Sequence, residues 1–560
     1  MKKYITSENW INAERKTFLF RSSKADNNTK PNFSNLTEFN NTMRELKKFF
    51  SKKYDFYKEQ KSIKDNILLV DRERVDAIFT NTLYALAISK KYNLNIILLT
   101  DQKKNTASVK IHEHLGFEKI INGFSLIVVL KNIHFFVYSI FLSLFATYKI
   151  YKNNFNWFIN KYYVKDILIG DLIYDHNIRY HHRYQNPKID FYFIKLLIKS
   201  TFRLLCIRKY FKKYSIKSVF VGTEVYAFNC GIALRVAVFN KIKNYVPVGN
   251  FNGGIQLTNF RKNHIVYGPE TLKYDSVMMN KFKSLKTKKS NIEKFFKNRK
   301  KSKIKGAYTR GDFIKANQSS RNGEKFLKKI KSQKKNIILY TSHALSDSTH
   351  LQGLRYVFNN YYEQMLETIK FAYYYGDNNV WVFRSHPASL NLNENNNIEK
   401  LIKKYKKKNI FFCPPNVSIT SLYQVSEVVI TGRGTSGLEF ACEGKPVIIA
   451  GKSTYSGFDI VNEAKTKFHY LNLLKNVNKL KKLNKNKISL AKKILFFFEK
   501  GVFVRKFINF EKKRNDNFES STFLTLLGNK KLSLTLGVFK RYLASDFKKG
   551  KIFKKIFEVI

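Results

Sequence analysis

Residues 428–451 read VVITGRGTSGLEFACEGKPVIIAG, and the order of residue types suggests an anion site. A buried-type strand run ends at Thr431. Gly432 and Gly434 let the backbone turn and come close to a ligand, and Thr435 and Ser436 then open a helix. Free N–H groups and the positive end of the helix dipole attract negative charge at such a point. Arg433, set between the glycines, adds a planar cation able to grip phosphate at two points. A plainer reading makes Ser436 and Glu439 a capping box, with Ser436 as N-cap. That accounts for those two residues and leaves Arg433 unexplained. The stretch is not a Walker loop. Gly451-Lys452-Ser453 resembles the end of one, but Pro446 stands where its first glycine belongs.

Other constellations follow strand-like runs. Phe383-Arg384-Ser385-His386-Pro387 succeeds VWVF, so Pro387 holds His386 at a sheet edge. There the imidazole can donate to phosphate or carry a proton, with Arg384 adding positive charge. Ser342–His350 succeeds NIILY and carries His343, Asp347 and His350. That loop is either a source of a base or carboxylate nucleophile or a polar turn. Gly170–Asp175 with Arg179 places two carboxylates, Asp171 and Asp175, four residues apart. They suit hydroxyl recognition or base catalysis, or a turn with a salt bridge. Glu224 and Tyr226 follow the strand SVFVG, and Asn252 lies on the loop after YVPV. These three are candidate acceptor-binding residues. His112-Glu113-His114 and His181-His182 form no complete ligand set, so no metal is expected.

The elements that must position these residues are parallel strands and their crossover helices. Asn66–Val70 and Asn95–Thr100 flank a helical pattern over 76–91, making a βαβ unit. Ser218–Gly222, a helix over Phe228–Asn240 and Tyr245–Val248 continue that series. A second series runs from Asn336–Tyr340 through a helix over Tyr361–Tyr375 to Val380–Phe383, Ile410–Phe412, Val428–Thr431 and Pro446–Ala450. The fold class is therefore α/β, two Rossmann-like doubly wound lobes joined by a connector, with a cleft between them. The expected organisation is a polar extension over 1–65 with a helix near Leu36–Tyr54, and a first lobe over 66–270. A basic connector over 271–335 without a core-facing stripe, a second lobe over 336–500 and a helical tail over 501–560 complete it.

The 560 residues include 103 Lys and Arg against 41 Asp and Glu, a formal net charge of +62. Part of this is codon bias, since Lys, Asn, Ile, Phe and Tyr crowd the chain. The rest attracts anions. Lysine is spread throughout, with no basic stripe or aromatic platform, which argues against nucleic acid as a partner. The chain starts without an apolar signal region. Four dispersed cysteines suggest a reducing, cytoplasmic setting. The apolar stretch Asn132–Tyr148, inside an insertion near 124–150, reads as a buried or interfacial helix, a short span or a shallow dip. Together with the charge it suggests peripheral attachment to the anionic inner membrane surface.

Five segments in this order resemble bacterial capsule and surface-polysaccharide biosynthesis proteins, in particular transferases using CMP-3-deoxy-octulosonic acid. They are Gly170–Asp175 with Arg179, Val221–Tyr226, His343–Asp347 with Asn360–Glu363, Arg384–Pro387, and Thr431–Gly451 ending in Tyr455. The resemblance implies a GT-B fold and a nucleotide-activated sugar, CMP-linked in the transferases named, as donor, with no other cofactor. It implies a glycan or lipid-linked acceptor. His386, Thr435 and Ser436, with Arg384, Arg433 and Gly434, would hold the donor phosphate, and Glu439 the nucleotide. Asp347 is the candidate catalytic carboxylate, with His343 and Asp175 assisting. A transferase of polyol phosphate from a CDP-activated donor is the alternative.

Overall fold

The structure, a computed structural model, describes residues 65–70, 91–101, 119–185, 187–221, 229–248, 254–258, 276–300, 321–350, 356–389, 394–414, 417–499 and 505–506, with isolated positions in 81–89 and 109–117. The helix expected near Leu36–Tyr54 and nearly all of the 501–560 tail lie outside these residues, as does much of the 76–91 helix.

The first lobe contains β1 (Asn66–Val70), β2 (Asn95–Thr100), β3 (Lys119–Asn122), the small hairpin β4 (Tyr163–Val164) and β5 (Ile167–Leu168), then β6 (Ile216–Phe220), β7 (Lys243–Val248) and β8 (Gly254–Thr258). The second contains β9 (Asn336–Thr341), β10 (Asn379–Arg384), β11 (Ile410–Phe412), β12 (Val428–Thr431), β13 (Val447–Ile449) and β14 (Asn462–Glu463). A last described strand, β15 (Arg505–Lys506), returns to pair antiparallel with β8. Two residues of the expected helical tail are thus strand.

Among the described residues the second sheet has the order β11-β10-β9-β12-β13-β14, parallel throughout. In chain order this is the doubly wound 3-2-1-4-5-6 arrangement, whose direction of winding reverses between β9 and β12. The first sheet repeats the pattern with β3-β2-β1-β6-β7, closed by antiparallel β8. The expected class, two Rossmann-like lobes, is what the chain forms. The reason is visible in β9, β10 and β12, which are buried along nearly their whole length. Apolar runs covered on both faces have only a parallel, helix-flanked sheet to enter. Alternate residues serve the two faces, with Ile338 and Tyr340 in one cluster and Ile337 and Leu339 in the other.

The connector departs from expectation. Ser276–Lys283, Lys289–Lys300 and Arg321–Lys331 are helices, and Phe282, Phe295, Phe296 and Ile330 are buried in the second lobe's core. A few aromatic side chains, each removing a large area from water, substitute for the wide stripe a core helix usually shows. The Gly170–Asp175 motif is not a turn. It opens the buried helix Gly170–His181, and a Cβ at Gly170 would lie 1.8 Å from the Phe158 carbonyl oxygen.

Asp171 is bound inside the first lobe, where the Arg235 guanidinium donates to its carboxylate at 2.6 Å. Both side chains are almost wholly buried, and Arg235 also donates to the Leu168 carbonyl at 2.7 Å. Truncating one partner strands the other charge. Arg235→Ala is therefore expected to lower stability by about 3–5 kcal/mol. The paired change Asp171→Leu with Arg235→Leu should cost less, and denaturant titration of the three proteins decides the point.

Candidate functional site

Thr341 at the end of β9 and Thr431 at the end of β12 are register partners at the reversal of sheet winding. Ligands bind at such a carboxyl-end crevice because the two following loops diverge there. Thr431 Oγ1 donates to the Thr341 carbonyl at 3.0 Å, and Thr341 Oγ1 lies 2.9 Å from Ser436 Oγ. Those bonds tie the β9 edge to the first turn of the helix Thr435–Cys442.

That helix starts earlier than the capping-box reading requires. Gly434 takes the extended N-cap conformation, φ −65° and ψ 157°, and no side chain caps the turn. Ser436 is already inside the helix and engages Thr341, and Glu439 accepts from the Tyr423 hydroxyl at 2.8 Å. The capping box does not form, and no side chain caps the first-turn N–H groups. Nor do Gly432 and Gly434 make a left-handed turn, since neither has positive φ. Gly432 is needed for clearance: a Cβ there would stand 2.9 Å from the Tyr356 hydroxyl. Gly437 is needed for the same reason, with Tyr455 Oη only 2.4 Å from where its Cβ would be. That hydroxyl donates to the Gly434 carbonyl at 2.7 Å and holds the N-terminal turn in place.

Arg433 is 6% exposed. It lies under the Ser342–His350 loop, donating through Nη2 to the Thr349 carbonyl. Its guanidinium stands over the rings of Tyr356, at 5.0 Å, and Tyr361, at 5.9 Å. Nε and Nη1 are buried with no hydrogen-bond partner among the described residues. Tyr361 in turn stacks on His343 at 4.2 Å with the rings 8° from parallel, and His343 is near-parallel to His386 at 5.8 Å. The His386 amide donates to Ser342 Oγ at 2.9 Å, which fixes the β10 loop against the β9 loop. Three loops of one sheet edge therefore converge on His343.

The charges follow from this packing. Burial is the largest influence on His343, and His386 and Arg433 act in the same direction; Asp347 opposes them, and the imidazole pKa falls to about 3. His343 is therefore neutral at physiological pH. Its Nδ1 lies 3.9 Å from Asp347 Oδ2. Burial pushes the Asp347 carboxyl up, but Arg179, His343, the Ser348 amide and His386 outweigh it and hold the group below the usual carboxylate range. Arg179 comes from the first lobe's helix Gly170–His181, so the two lobes meet at Asp347.

The remaining expected residues separate. Asp175 is fully buried and accepts from the His350 amide at 2.7 Å, which makes it a link between lobes. Thr435 is exposed and Gly434 half-buried at the helix start. Arg384 is turned elsewhere: alternation along β10 puts it with Val380 and Val382, and Nη1 donates to the Val417 carbonyl at 2.7 Å. Its expected phosphate contact is thus replaced by a brace on the loop before the helix Ile419–Val425. Glu224, Tyr226 and Asn252 lie outside the described residues. Among the described residues no cluster of three or more His, Cys, Asp or Glu could hold a metal ion.

Two organising residues carried no sequence signal. Glu394 is fully buried and accepts from the Leu345 amide at 2.9 Å, the Ser346 amide at 2.7 Å and Ser389 Oγ at 2.9 Å. It sits in the polar run NLNENNN, where nothing marks it out. Gln364 accepts from the Tyr356 hydroxyl and donates to the Thr431 carbonyl at 3.3 Å and to Tyr470 Oη at 3.2 Å. Beside the site a void of about 220 Å³ opens at the lobe interface, lined by Tyr174, Tyr184, Asn360 and Tyr362 among others. Asn360 crosses that interface, donating to Tyr174 Oη at 3.0 Å and the Tyr184 carbonyl at 3.2 Å.

Residues 268–489 match the family model described as capsule polysaccharide biosynthesis protein. The family resemblance read from the motifs is borne out over that stretch, which contains β9 to β14. No curated protein matches the chain. Among solved structures, the β-Kdo 2,4 transferase of Thermosulfurimonas dismutans KpsC is 13% identical, with 50% of this chain and 79% of that one covered at a TM-score of 0.30. The β-Kdo 2,7 transferase of the same protein is 12% identical, covering 55% and 88% at 0.27. A UDP-GlcNAc 2-epimerase from Neisseria meningitidis bound to UDP-GlcNAc is 12% identical, covering 77% and 98% at 0.23. These overlaps are shallow, and the fold description rests on the strand order above.

The depressed His343 pKa has a measurable consequence. Between pH 6.5 and about 3 the unfolded chain binds a proton that the folded imidazole refuses, so stability falls as pH drops through that window. His343→Gln is expected to flatten this part of the stability–pH curve, read by thermal melts across pH. Glu394→Ala should speed amide exchange at Leu345 and Ser346 selectively, by about ten-fold or more, because it removes the acceptor both amides use.

Proposed function

We propose that the chain is a nucleotide-sugar-dependent glycosyltransferase of capsule or surface-polysaccharide synthesis. The observation that carries this reading is Arg433, a buried cation with two unpartnered N–H-bearing atoms beside an uncapped helix start. A buried positive site of this kind favours an anion, and the leaving group of such a transfer is a nucleotide phosphate. In this reading His386, Arg433, Thr435 and Ser436 stabilise the charge that builds on the phosphate oxygen as the sugar departs. Arg433 acts from below the loop, through its field and through any N–H that the loop uncovers.

Asp347 serves as the anionic partner of the sugar. A carboxyl held below its usual range is a weak base, so it suits stabilising or bonding to an electron-poor anomeric carbon better than removing a hydroxyl proton. Neutral His343 packs between Tyr361 and His386 and can donate or accept a hydrogen bond without adding charge. The acceptor, a glycan or lipid-linked glycan, would enter from the first lobe past Arg179, with the inter-lobe void as the nearest groove. The family match over residues 268–489 supports the polymer class.

Incubation of the purified protein with CMP- and CDP-activated donors, followed by nucleotide release, tests the reading. Turnover of an acidic CMP-sugar is expected. Release of polyol phosphate from a CDP donor would instead support the phosphotransferase alternative. His386→Ala and Arg433→Ala should each lower turnover by about 100-fold or more. Asp347→Asn should do the same while leaving nucleotide binding within about three-fold. Wild-type turnover in the His386 and Arg433 variants would sink the assignment.

A further inference from the structure

The helices Leu126–Lys131 and Ile133–Lys161 bury the wrong residues for an ordinary surface pair. Ser139, Ser143, Ala146 and Ile150, spaced four, three and four apart, face the lobe. Leu126, Leu130, Phe141, Leu144, Phe145 and Tyr151 are each more than half exposed. The polar serines turn inward and satisfy themselves locally, Ser139 Oγ donating to the Phe135 carbonyl and Ser143 Oγ to the Ser139 carbonyl, both at 2.7 Å. The result is an amphipathic helix turned inside out, with a continuous apolar ridge toward solvent. A ridge of this extent on a soluble protein marks an interaction surface.

The surroundings of the ridge identify what covers it. From Lys119 to Lys165 the chain has six lysines and no acidic residue. Lys149 Nζ stands 5.5 Å from the Phe145 ring centroid and Lys165 Nζ 5.4 Å from that of Tyr138, so cations rim the apolar strip. Tyrosines lie along it and at its end, as at Tyr138, Tyr148 and Tyr151. Apolar centre, aromatic margin and lysine rim together match a bilayer surface with anionic headgroups. A second copy of this chain fits poorly, since it would set two lysine rims against each other on molecules of net charge +62.

We propose that this ridge docks the protein onto an anionic lipid bilayer, lying in the interface without crossing it. The helix Ile133–Lys161 is long and apolar enough to cross a membrane. However, its small-residue face is packed on the helix Phe191–Lys213, and Lys209 Nζ of that helix donates to Asn132 Oδ1 at 2.8 Å. A spanning orientation would draw Lys195, Lys199 and Lys209 into hydrocarbon, which is costly for each charge. Lying flat, only the exposed face enters the acyl boundary. The proposal stands independently of the transferase reading.

Co-sedimentation of the full-length protein with vesicles tests it. Binding is expected to phosphatidylcholine vesicles containing phosphatidylglycerol, and about ten-fold weaker binding to phosphatidylcholine alone. Phe141→Asp with Leu144→Asp should weaken binding to the anionic vesicles by about ten-fold or more, with an unchanged melting temperature. A gentler variant guards against misfolding. The four native cysteines are buried, so Phe141→Cys can be labelled selectively with a polarity-sensitive dye. Its emission should shift blue on anionic vesicles and be quenched by lipid-borne quenchers. No blue shift, or resistance of bound protein to carbonate extraction, would overturn the proposal, the latter in favour of a span. A dimer in solution dispersed by the Asp variants, without vesicle binding, would overturn it in favour of a second copy.

Discussion

The structure around the second sheet depends on a guanidinium held in a place where water cannot serve it. Arg433 makes one hydrogen bond, to a backbone carbonyl, and has two aromatic faces beside it. No ion pair to it forms among the described residues. Cation–π contact with two tyrosines offsets part of the desolvation, on the order of 1–2 kcal/mol each. That falls short of the several kcal/mol a buried ion costs. The neighbouring groups adapt. His343 remains neutral, and Tyr356 and Tyr361 are kept from ionising chiefly by burial. The site as folded carries a positive excess that an anionic occupant would neutralise.

Topology explains why that excess gathers where it does. In the second sheet it is at the reversal between β9 and β12 that two adjacent parallel strands send their chains to opposite faces. Thr341 and Thr431 sit side by side at that edge, and each begins a loop that the other strand's residues complete. The Thr341–Ser436 contact joins the β9 side to the β12 helix, and the Ser342–His386 contact joins it to the β10 loop. Glu394 then fixes the far side of the β9 loop through two amides. Its carboxyl is raised in pKa because burial outweighs the hydrogen bonds that it accepts. The loop bearing His343 and Asp347 is thus clamped at both ends by polar groups.

What could be read in advance follows from the range of each interaction. Parallel strands announce themselves locally, since NIILY, VWVF and VVIT are continuous apolar runs, and the helix Tyr361–Tyr375 was legible to the residue. The antiparallel β8 and the two-residue β15 are set by partners far along the chain and were not. The connector was expected to lack a core-facing stripe because its lysine density masks Phe282, Phe295 and Phe296, which are buried. In the site, Arg433 between glycines stood out by composition, whereas Arg384 was misjudged. Strand alternation sends it to the opposite face from Phe383, a consequence of register that a motif does not encode. Glu394 and Gln364 act through tertiary hydrogen bonds alone and leave no periodic trace.

The lobe interface adds a constraint of its own. Asp175 accepts from the His350 amide, and Arg179, one helical turn on, lowers the pKa of Asp347. A single helix of the first lobe therefore both anchors the end of the second lobe's β9 loop and sets the ionisation of its carboxylate. Asn360, the N-cap of the helix that supplies Tyr361, bonds across the same boundary to Tyr174 and Tyr184. Separating the lobes would break these bonds together, taking the His350 amide from Asp175 and the Arg179 charge from Asp347. Loss of Arg179 would raise the Asp347 pKa. The charge state of the site and the approach of the lobes are therefore one equilibrium. Arg179 is the largest of the influences that lower the Asp347 pKa, so the seating of the helix Gly170–His181 helps to set the ionisation of that carboxyl.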